Sequence, residues 1–359
     1  MKIGIVTFHN GSNYGAALQA YALQEKVREL YENVYIINYK NRFIMKGLDK
    51  IRWGMSLHNI YYTFVDMLNY RNNAKKISRF LDFFNRYYTL TELLDGQELK
   101  TKNWNWDLCI SGSDQIWNPL LNQGLDDIYF GCFSGVKRKI SYASSTGAYQ
   151  FDNLKWNEEF KNYLASYEKI SVRENAGRIK EKTGLDVTEV LDPTLLLSRE
   201  DWKERFHLQS TNDRYVLVYA MNNIDAIIAY ACEIARQLKM NVWVIGNYFR
   251  HRKNVRCISD AGPIEFVNLF FNASYVVTNS FHGTAFSVNF KKQFSSVYNQ
   301  KSPERAKQLL ERCGLKNRLI RDLSDYTVYH ITDQEFEESQ KWLTERRLHA
   351  EEFLKISER

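Results

Sequence analysis

The sequence predicts an α/β protein with two domains built on parallel sheets. Short runs of consecutive apolar residues, such as 3–8 and 275–278, are typical of strands that are buried on both faces of a parallel sheet. Amphipathic helical stretches alternate with these runs along most of the chain, as they do in β-α-β units. A chain of 359 residues exceeds the size at which one hydrophobic core usually stops growing, so we expect two domains.

The first domain is predicted to comprise residues 1–197. Its expected strands are 3–8, 34–38, 108–111, 139–142, 169–172 and 187–190, and its expected helices include 156–167 and 174–182. Residues 41–106 depart from this alternation and form a predicted helical insertion, with amphipathic stretches at 60–68 and 75–84. Two interpretations of these helices stay open: they pack on the sheet, or they contact an acceptor or an anionic membrane surface.

The second domain is predicted to comprise residues 198–332, because Pro193 and a change of pattern near Ser198 mark a boundary. Its expected strands are 215–220, 242–246, 275–278 and 293–297, and its expected helices are 225–238, a short helix opened by Pro263 and a helix that starts at His282. The charged stretch 333–359 is predicted to be a long C-terminal surface helix.

Composition and charge exclude several classes of protein. The net charge of +7 and the aromatic content of 14% suit carbohydrates and anions, but no nucleic-acid-binding motif accompanies them, so no nucleic-acid partner is expected. The five cysteines are widely spaced and form no CxxC pair, which argues against a disulfide framework and a zinc knuckle and fits a reducing cytoplasm. No zinc-hydrolase HExxH, P-loop or serine-hydrolase elbow occurs, and no metal is expected.

The apolar run 3–8 is too short for the hydrophobic region of a signal peptide. Residues 266–290 lack Lys, Arg, Asp and Glu, but they contain too many other polar side chains for a membrane span. We therefore expect a cytoplasmic protein, with peripheral contact to the inner membrane surface left open.

Ligands of open α/β sheets bind at the carboxyl ends of the strands, which points to five loops. The first contains Asn13, Tyr14 and Gly15, where glycines permit close backbone approach, although a plain tight turn is an equal alternative. The second contains the candidate sugar ligands Ser113, Asp114, Gln115 and Trp117. The indole of Trp117 would stack on a pyranose ring, and the alternative is that it belongs to the core next to an Asx turn.

The remaining three loops offer groups for anions and proton transfer. Ser145 lies in a hydroxyl-rich strand end, where its role is either to bind an anion or to cap. Arg173 follows another strand and is a candidate for a phosphate or carboxylate ligand, with a structural ion pair as the alternative. The last loop contains Ser280, His282, Gly283 and Thr284, in which His282 has the chemistry of an acid or base, unless it is a structural histidine.

Five stretches, 13–21, 111–117, 171–174, 191–194 and 280–283, taken in this order, resemble the polysaccharide pyruvyl transferase family. The resemblance implies two Rossmann-like domains similar to the GT-B glycosyltransferase architecture. The site would lie in the interdomain cleft, with the acceptor side on the first domain and the donor side on the second. It further implies phosphoenolpyruvate as donor substrate, no additional cofactor, and a sugar acceptor that is nucleotide-linked, lipid-linked or polymeric.

The resemblance also implies roles for individual residues. His282 would provide acid or base catalysis or contact phosphoenolpyruvate, Arg173 would neutralise an anionic group of the donor, and Asp114, Gln115 and Asn13 would orient acceptor hydroxyls. Family members often carry Arg where this sequence has Ser280. The missing charge would then come from Lys291, from Lys292 or from the N-terminus of the following helix.

Two other functions remain as alternatives at this point. One is a glycosyltransferase of the same fold that uses a nucleotide sugar. The other is a carbohydrate-binding protein that keeps the fold without catalysis.

Overall fold

The computed structural model of the chain describes residues 1–45, 48, 49, 67, 69–149, 151–248, 252–300 and 303–356. The chain divides into two compact units. Unit 1 comprises Met1–Leu48, Phe84–Leu196 and Arg346–Arg359, and unit 2 comprises Asp49–Phe83 and Leu197–Glu345. Each unit is built around a parallel sheet with helices packed against it, so the predicted α/β class is confirmed.

Unit 1 contains a parallel sheet in the order β2-β1-β3-β4, followed by the parallel pair β5-β6. The strands are β1 (Lys2–Val6), β2 (Asn33–Ile36), β3 (Leu108–Ser111), β4 (Lys139–Ser141), β5 (Ser171–Val172) and β6 (Thr188–Glu189). Single bridges between Ile140 and Lys169 and between Ser144 and Val172 connect β4 to β5. Four consecutive residues of β3 are buried, as expected for a central strand covered on both faces.

The helices of unit 1 follow the strand ends. They are α1 (Tyr14–Arg28), α2 (Arg42–Met45), α4 (Gly96–Thr101), α5 (Pro119–Asn122), α6 (Leu154–Leu164) and α7 (Ala176–Thr183), and α3 (Tyr70–Tyr87) ends in this unit. Asn13 caps α1, since its side-chain oxygen accepts from the Ala16 N–H at 3.1 Å.

Unit 2 contains a six-stranded parallel sheet in the order β12-β11-β10-β7-β8-β9. The strands are β7 (Tyr215–Tyr219), β8 (Asn241–Ile245), β9 (Val255–Ile258), β10 (Tyr275–Thr278), β11 (Gln293–Val297) and β12 (Leu319–Ile320). Counted within the unit, this order is that of a Rossmann fold, with the topological switch point between β7 and β10. The sequence did not predict β9, because this edge strand lacks a buried apolar run.

The helices described in unit 2 are the greater part of α3, α8 (Arg199–Arg205), α9 (Ile224–Leu238), α10 (Pro263–Asn272), α11 (Phe281–Asn289), α12 (Pro303–Arg312) and the greater part of α13 (Asp333–Leu354). The predicted long C-terminal helix is therefore present, and it passes from unit 2 into unit 1 at Glu345 and Arg346. Among the described residues, no helix has both the length and the apolarity needed to cross a membrane.

The predicted helical insertion 41–106 is divided between the two units. Ile77 and Phe80 of α3 are buried, and Arg79 ties the same helix to the start of α10 within unit 2. The Arg79 Nε forms an ion pair with Glu265 Oε1 at 3.1 Å, and its Nη1 donates to the Asp260 carbonyl at 2.8 Å. Residues 60–66 and 68 of the predicted amphipathic stretch 60–68 lie outside the described residues.

Candidate active site

A buried glutamine fixes the backbone at the carboxyl ends of β1 and β3. Gln19 of α1 is fully buried, and its Nε2 donates to Thr7 Oγ1 and to the Phe8 carbonyl at 2.9 and 3.0 Å. Its Oε1 accepts from the Ser113 N–H at 3.2 Å, while Thr7 Oγ1 donates to the Ser113 carbonyl at 3.0 Å. The loop that carries Asp114 is therefore held from both sides by polar groups that have no access to water.

Arg173, at the carboxyl end of β5, is the centre of a buried charge cluster. Its Nη1 donates to Asp192 Oδ2 at 2.7 Å, its Nε to Glu174 Oε2 at 2.9 Å and its Nη2 to Asp114 Oδ1 at 3.3 Å. The Arg173 side chain is 2% exposed. Burial by itself lowers the pKa of Arg173, but the Glu174, Asp192 and Asp114 carboxylates together raise it well above its ordinary value.

This arrangement changes the role that the sequence suggested for Arg173. Three carboxylates already contact its guanidinium, at N–O distances of 3.3, 2.9 and 2.7 Å. An incoming phosphate or carboxylate would meet an acidic cluster instead of a spare cation. The structural ion pair, given as the alternative in the sequence analysis, is the interpretation that the geometry supports, and Arg173 donates one hydrogen bond to the Asp114 carboxylate.

Asp114 is the member of the cluster that lies nearest to solvent. Its side chain is 9% exposed, whereas those of Glu174 and Asp192 are 3% and 0% exposed. The Asp114 backbone has a φ of 68°, a left-handed conformation that Asp tolerates better than most residues. Its carboxylate is therefore the most accessible acid of the cluster, which makes it the candidate base.

Trp117 does not present its indole face to a ligand. Its side chain is 1% exposed, its ring stacks on Phe130 at 5.4 Å between centroids, and Phe160 and Tyr167 meet it edge to face. Its Nε1 donates to the Tyr129 carbonyl at 3.3 Å. Trp117 belongs to the hydrophobic core of unit 1, so the sugar-stacking role suggested by the sequence is not supported.

Other candidates of unit 1 also have structural partners. Ser145 Oγ donates to Glu174 Oε1 and accepts from the Gly147 N–H, which ties this loop to the charge cluster. Gln115 Oε1 accepts from Asn118 Nδ2 at 3.0 Å.

In the first loop, Tyr14 and Gly15 are buried, whereas Asn13 is exposed at the N-terminus of α1. Asn13 thus remains the candidate of that loop for contact with an acceptor.

In unit 2, His282 lies at the topological switch point, just beyond the carboxyl end of β10. It is the second residue of α11, and Ser280 caps this helix by accepting from the Gly283 N–H at 3.5 Å. A Cβ on Gly283 would come within 2.2 Å of Thr278 Oγ1, so glycine is required for this close approach of helix and strand. Thr284 Oγ1 donates to the Ser280 carbonyl, which further fixes the first turn.

Three asparagines that the sequence analysis did not single out hold the ends of β7, β10 and β11 together. Asn279 Oδ1 accepts from the Met221 N–H at 2.7 Å, and its Nδ2 donates to Asn222 Oδ1 at 2.9 Å. Asn222 Nδ2 donates to Asn299 Oδ1, and Asn299 Nδ2 donates to the Asn279 carbonyl. An asparagine one to three residues after the end of each of three strands is the signal that would have indicated this network.

Lys291 and Lys292 do not replace the arginine expected at the Ser280 position. β10 and β11 are parallel, with Tyr275 opposite Gln293 and Thr278 opposite Ser296. Lys292 precedes β11 and therefore lies at the amino edge of the sheet, whereas His282 lies at the carboxyl edge. The N-terminus of α11, the positive end of its helix dipole, remains as the source of positive potential beside His282.

Within the described parts of the chain, no cluster of three or more His, Cys, Asp or Glu side chains has the arrangement of a metal site. The carboxylates of Asp114, Glu174 and Asp192 form ion pairs with Arg173.

Two Rossmann-type units, each with polar side chains at the carboxyl edge of its sheet, define a two-unit α/β protein of the kind in which ligands bind beyond the strand ends. The chain belongs to the polysaccharide pyruvyl transferase family, whose model matches residues 13–301, and it is therefore a transferase. The family predicted from the five sequence stretches is confirmed. No curated protein sequence is significantly similar to the chain.

Solved structures similar to the chain include several sugar-nucleotide enzymes. A UDP-GlcNAc 2-epimerase from Neisseria meningitidis, bound to UDP-GlcNAc, is 12% identical with a TM-score of 0.47, covering 99% of this chain and 95% of that one. An ADP-heptose heptosyltransferase II from E. coli is 12% identical with a TM-score of 0.38, over 96% and 99%. A Streptomyces glycosyltransferase complexed with thymidine diphosphate is 13% identical with a TM-score of 0.46, over 96% and 95%.

Proposed function

We propose that this chain transfers a pyruvyl group from phosphoenolpyruvate to a sugar of a cell-surface polysaccharide or of its precursor, forming a pyruvate ketal. The family match over residues 13–301 is the observation that carries this proposal. The reaction would take place in the cytoplasm, where phosphoenolpyruvate is made. The acceptor would be a nucleotide-linked, lipid-linked or polymeric sugar.

The proposed chemistry begins with protonation of C3 of phosphoenolpyruvate, which gives a cationic C2. One sugar hydroxyl attacks C2 and loses its proton, the C2–O bond to phosphate then breaks, and a second hydroxyl of the same sugar closes the ketal. The products are the ketal and inorganic phosphate. Such a sequence needs a proton donor for C3, a base for the hydroxyls and a positive potential for the donor anion.

His282 is the proposed proton donor and donor-binding residue. Its place at the switch point of a Rossmann sheet, in the first turn of α11, supports this role, because backbone N–H groups at a helix N-terminus attract phosphate and carboxylate oxygens. Ser280 and Thr284 contribute hydroxyls to the same turn.

Asp114 is the proposed base for the acceptor hydroxyls. Its carboxylate accepts one hydrogen bond from Arg173 and is the least buried acid of the cluster. Asn13, exposed at the N-terminus of α1, is proposed to help orient the acceptor.

The experiment that tests this function measures release of inorganic phosphate from phosphoenolpyruvate with and without a panel of sugar acceptors. We expect release only with an acceptor, and we expect His282→Ala and Asp114→Asn to lower kcat by about 10²–10⁴-fold. His330→Ala, which changes an exposed histidine of the same unit, is the matched control and should keep full activity. Acceptor-dependent release that survives His282→Ala would contradict the assignment.

A nucleotide-sugar glycosyltransferase is the second candidate, because the strand order of unit 2 is one that binds nucleotides at its switch point. Thermal unfolding with phosphoenolpyruvate and with a panel of nucleotide sugars separates the two functions. Stabilisation by a nucleotide sugar and none by phosphoenolpyruvate would favour the glycosyltransferase. If sugar binding persists without any turnover of either donor, the chain is a carbohydrate-binding protein of this fold.

A further inference from the structure

A buried arginine of unit 2 lacks a carboxylate partner within the described part of the chain. Arg318 ends the short 3₁₀ turn Lys316–Arg318 before β12 and is 3% exposed. Its Nε donates to Asn317 Oδ1 at 3.1 Å, and its guanidinium lies 5.1 Å from the centre of the Tyr329 ring. Its Nη1 is buried and contacts no hydrogen-bond acceptor among the described residues.

This burial is costly because a guanidinium does not lose its proton under ordinary conditions. Burial lowers the pKa of Arg318, but the ordinary value is so high that the group stays charged. The free energy gained from one contact with an aromatic face is smaller than the hydration free energy that an ion loses on burial.

The Glu335 side chain is partly exposed. Its charge raises the pKa of Arg318 against the larger effect of burial, and its Oε1 accepts from Asn317 Nδ2 at 3.3 Å. Arg318 therefore requires a further acceptor.

A group of three hydroxyls beside Arg318 also has more hydrogen-bond donors than acceptors contacted among the described residues. Tyr230 OH and Tyr275 OH lie 3.1 and 2.8 Å from Ser295 Oγ. Three hydroxyls carry three hydrogens, and two contacts use two of them, so one hydrogen is left without an acceptor among the described residues. Burial raises the pKa of Tyr275 to about 12 and raises that of Tyr230, while the nearby Arg318 charge acts in the opposite direction on both.

From this excess of donors we infer that Arg318 and the Tyr230–Ser295–Tyr275 hydroxyl group bind a small oxyanion such as inorganic phosphate. Guanidinium N–H groups and a hydroxyl hydrogen can all donate to one acceptor-only ligand, and the planar fork of Arg matches oxyanions. Tyr275 begins β10, whereas His282 lies beyond the end of that strand. The site is thus separate from the candidate active site, and the anion would act on the stability of unit 2.

The test measures the Tm of the full chain at constant ionic strength while phosphate replaces chloride. The wild type should gain a few degrees with a saturable midpoint, because a ligand that binds the folded state stabilises it. Arg318→Met should show no increase in Tm with phosphate. Without phosphate, this variant should be at least as stable as the wild type, because the substitution removes a buried charge that has no carboxylate partner among the described residues.

Two control variants separate this site from others. Arg321→Gln removes an exposed charge three residues away and should keep the response, as should His282→Ala, which alters the candidate active site. If Arg318→Met does not fold, Arg318→Lys replaces it and should shift the phosphate midpoint several-fold upward. An increase in Tm with phosphate that is the same in the Arg318 variant as in the wild type would overturn the inference. So would an equal increase in Tm when chloride is added instead of phosphate.

Discussion

Replacing Arg173 by Met tests whether this arginine positions Asp114 or binds the donor. The substitution removes the cation and leaves the carboxylates of Asp114, Glu174 and Asp192 facing one another at 9%, 3% and 0% exposure. Breaking one buried ion pair costs about 3–5 kcal/mol, so we expect a loss of unfolding free energy of at least this size.

Urea unfolding of Arg173→Met, followed by tryptophan fluorescence, measures this loss of unfolding free energy. Steady-state kinetics of a second variant, Arg173→Lys, complete the test. Lysine keeps the charge but cannot reach three carboxylates, so we expect a lower kcat through a misplaced Asp114, with the KM for phosphoenolpyruvate nearly unchanged. An unaltered unfolding free energy together with a raised KM for phosphoenolpyruvate would refute the positioning role and restore the donor-binding role.

Two further predictions concern unit 2. Gly283→Ala should lower the unfolding free energy by about 1–3 kcal/mol, because its Cβ would lie 2.2 Å from Thr278 Oγ1, and Thr278→Ala should recover part of the loss in a double-mutant cycle. Lys292 should react with an acylating reagent along a titration curve centred near pH 8, since burial, with Arg199 nearby, lowers its pKa to about 8. Mass spectrometry measures the labelling of Lys292 as a function of pH, with the exposed neighbour Lys291 as the comparison in the same peptide digest.

Buried strands were the part of the molecule that the sequence predicted best. Every residue of β3, β7 and β10 is buried, and the limits of these strands agree with the expected 108–111, 215–220 and 275–278 to within one residue. The family was also predictable, because five short stretches occur in the right order. The edge strand β9 was missed because its residues are only partly buried, and an exposed edge carries no such pattern.

Side-chain roles were predicted less well, and Trp117 and Arg173 illustrate the reason. A tryptophan after a strand end fits both a sugar platform and a core position, and packing against Phe130, Phe160 and Tyr167 decided for the core. The three asparagines that join β7, β10 and β11 were overlooked, since each looks like an ordinary loop residue until the strands are placed side by side.

By itself, the sequence determined the α/β class, the family and the loops that follow each strand, because apolar periodicity and turn chemistry are local properties of the chain. Only the tertiary structure decided which charges meet. Arg173 lies 59 residues from Asp114 and 19 from Asp192, and Arg318 is buried beside Tyr230 and Tyr275 from distant elements. Ion pairs and buried donors depend on distances of a few ångströms between segments that sheet formation brings together, and local sequence carries no record of those distances.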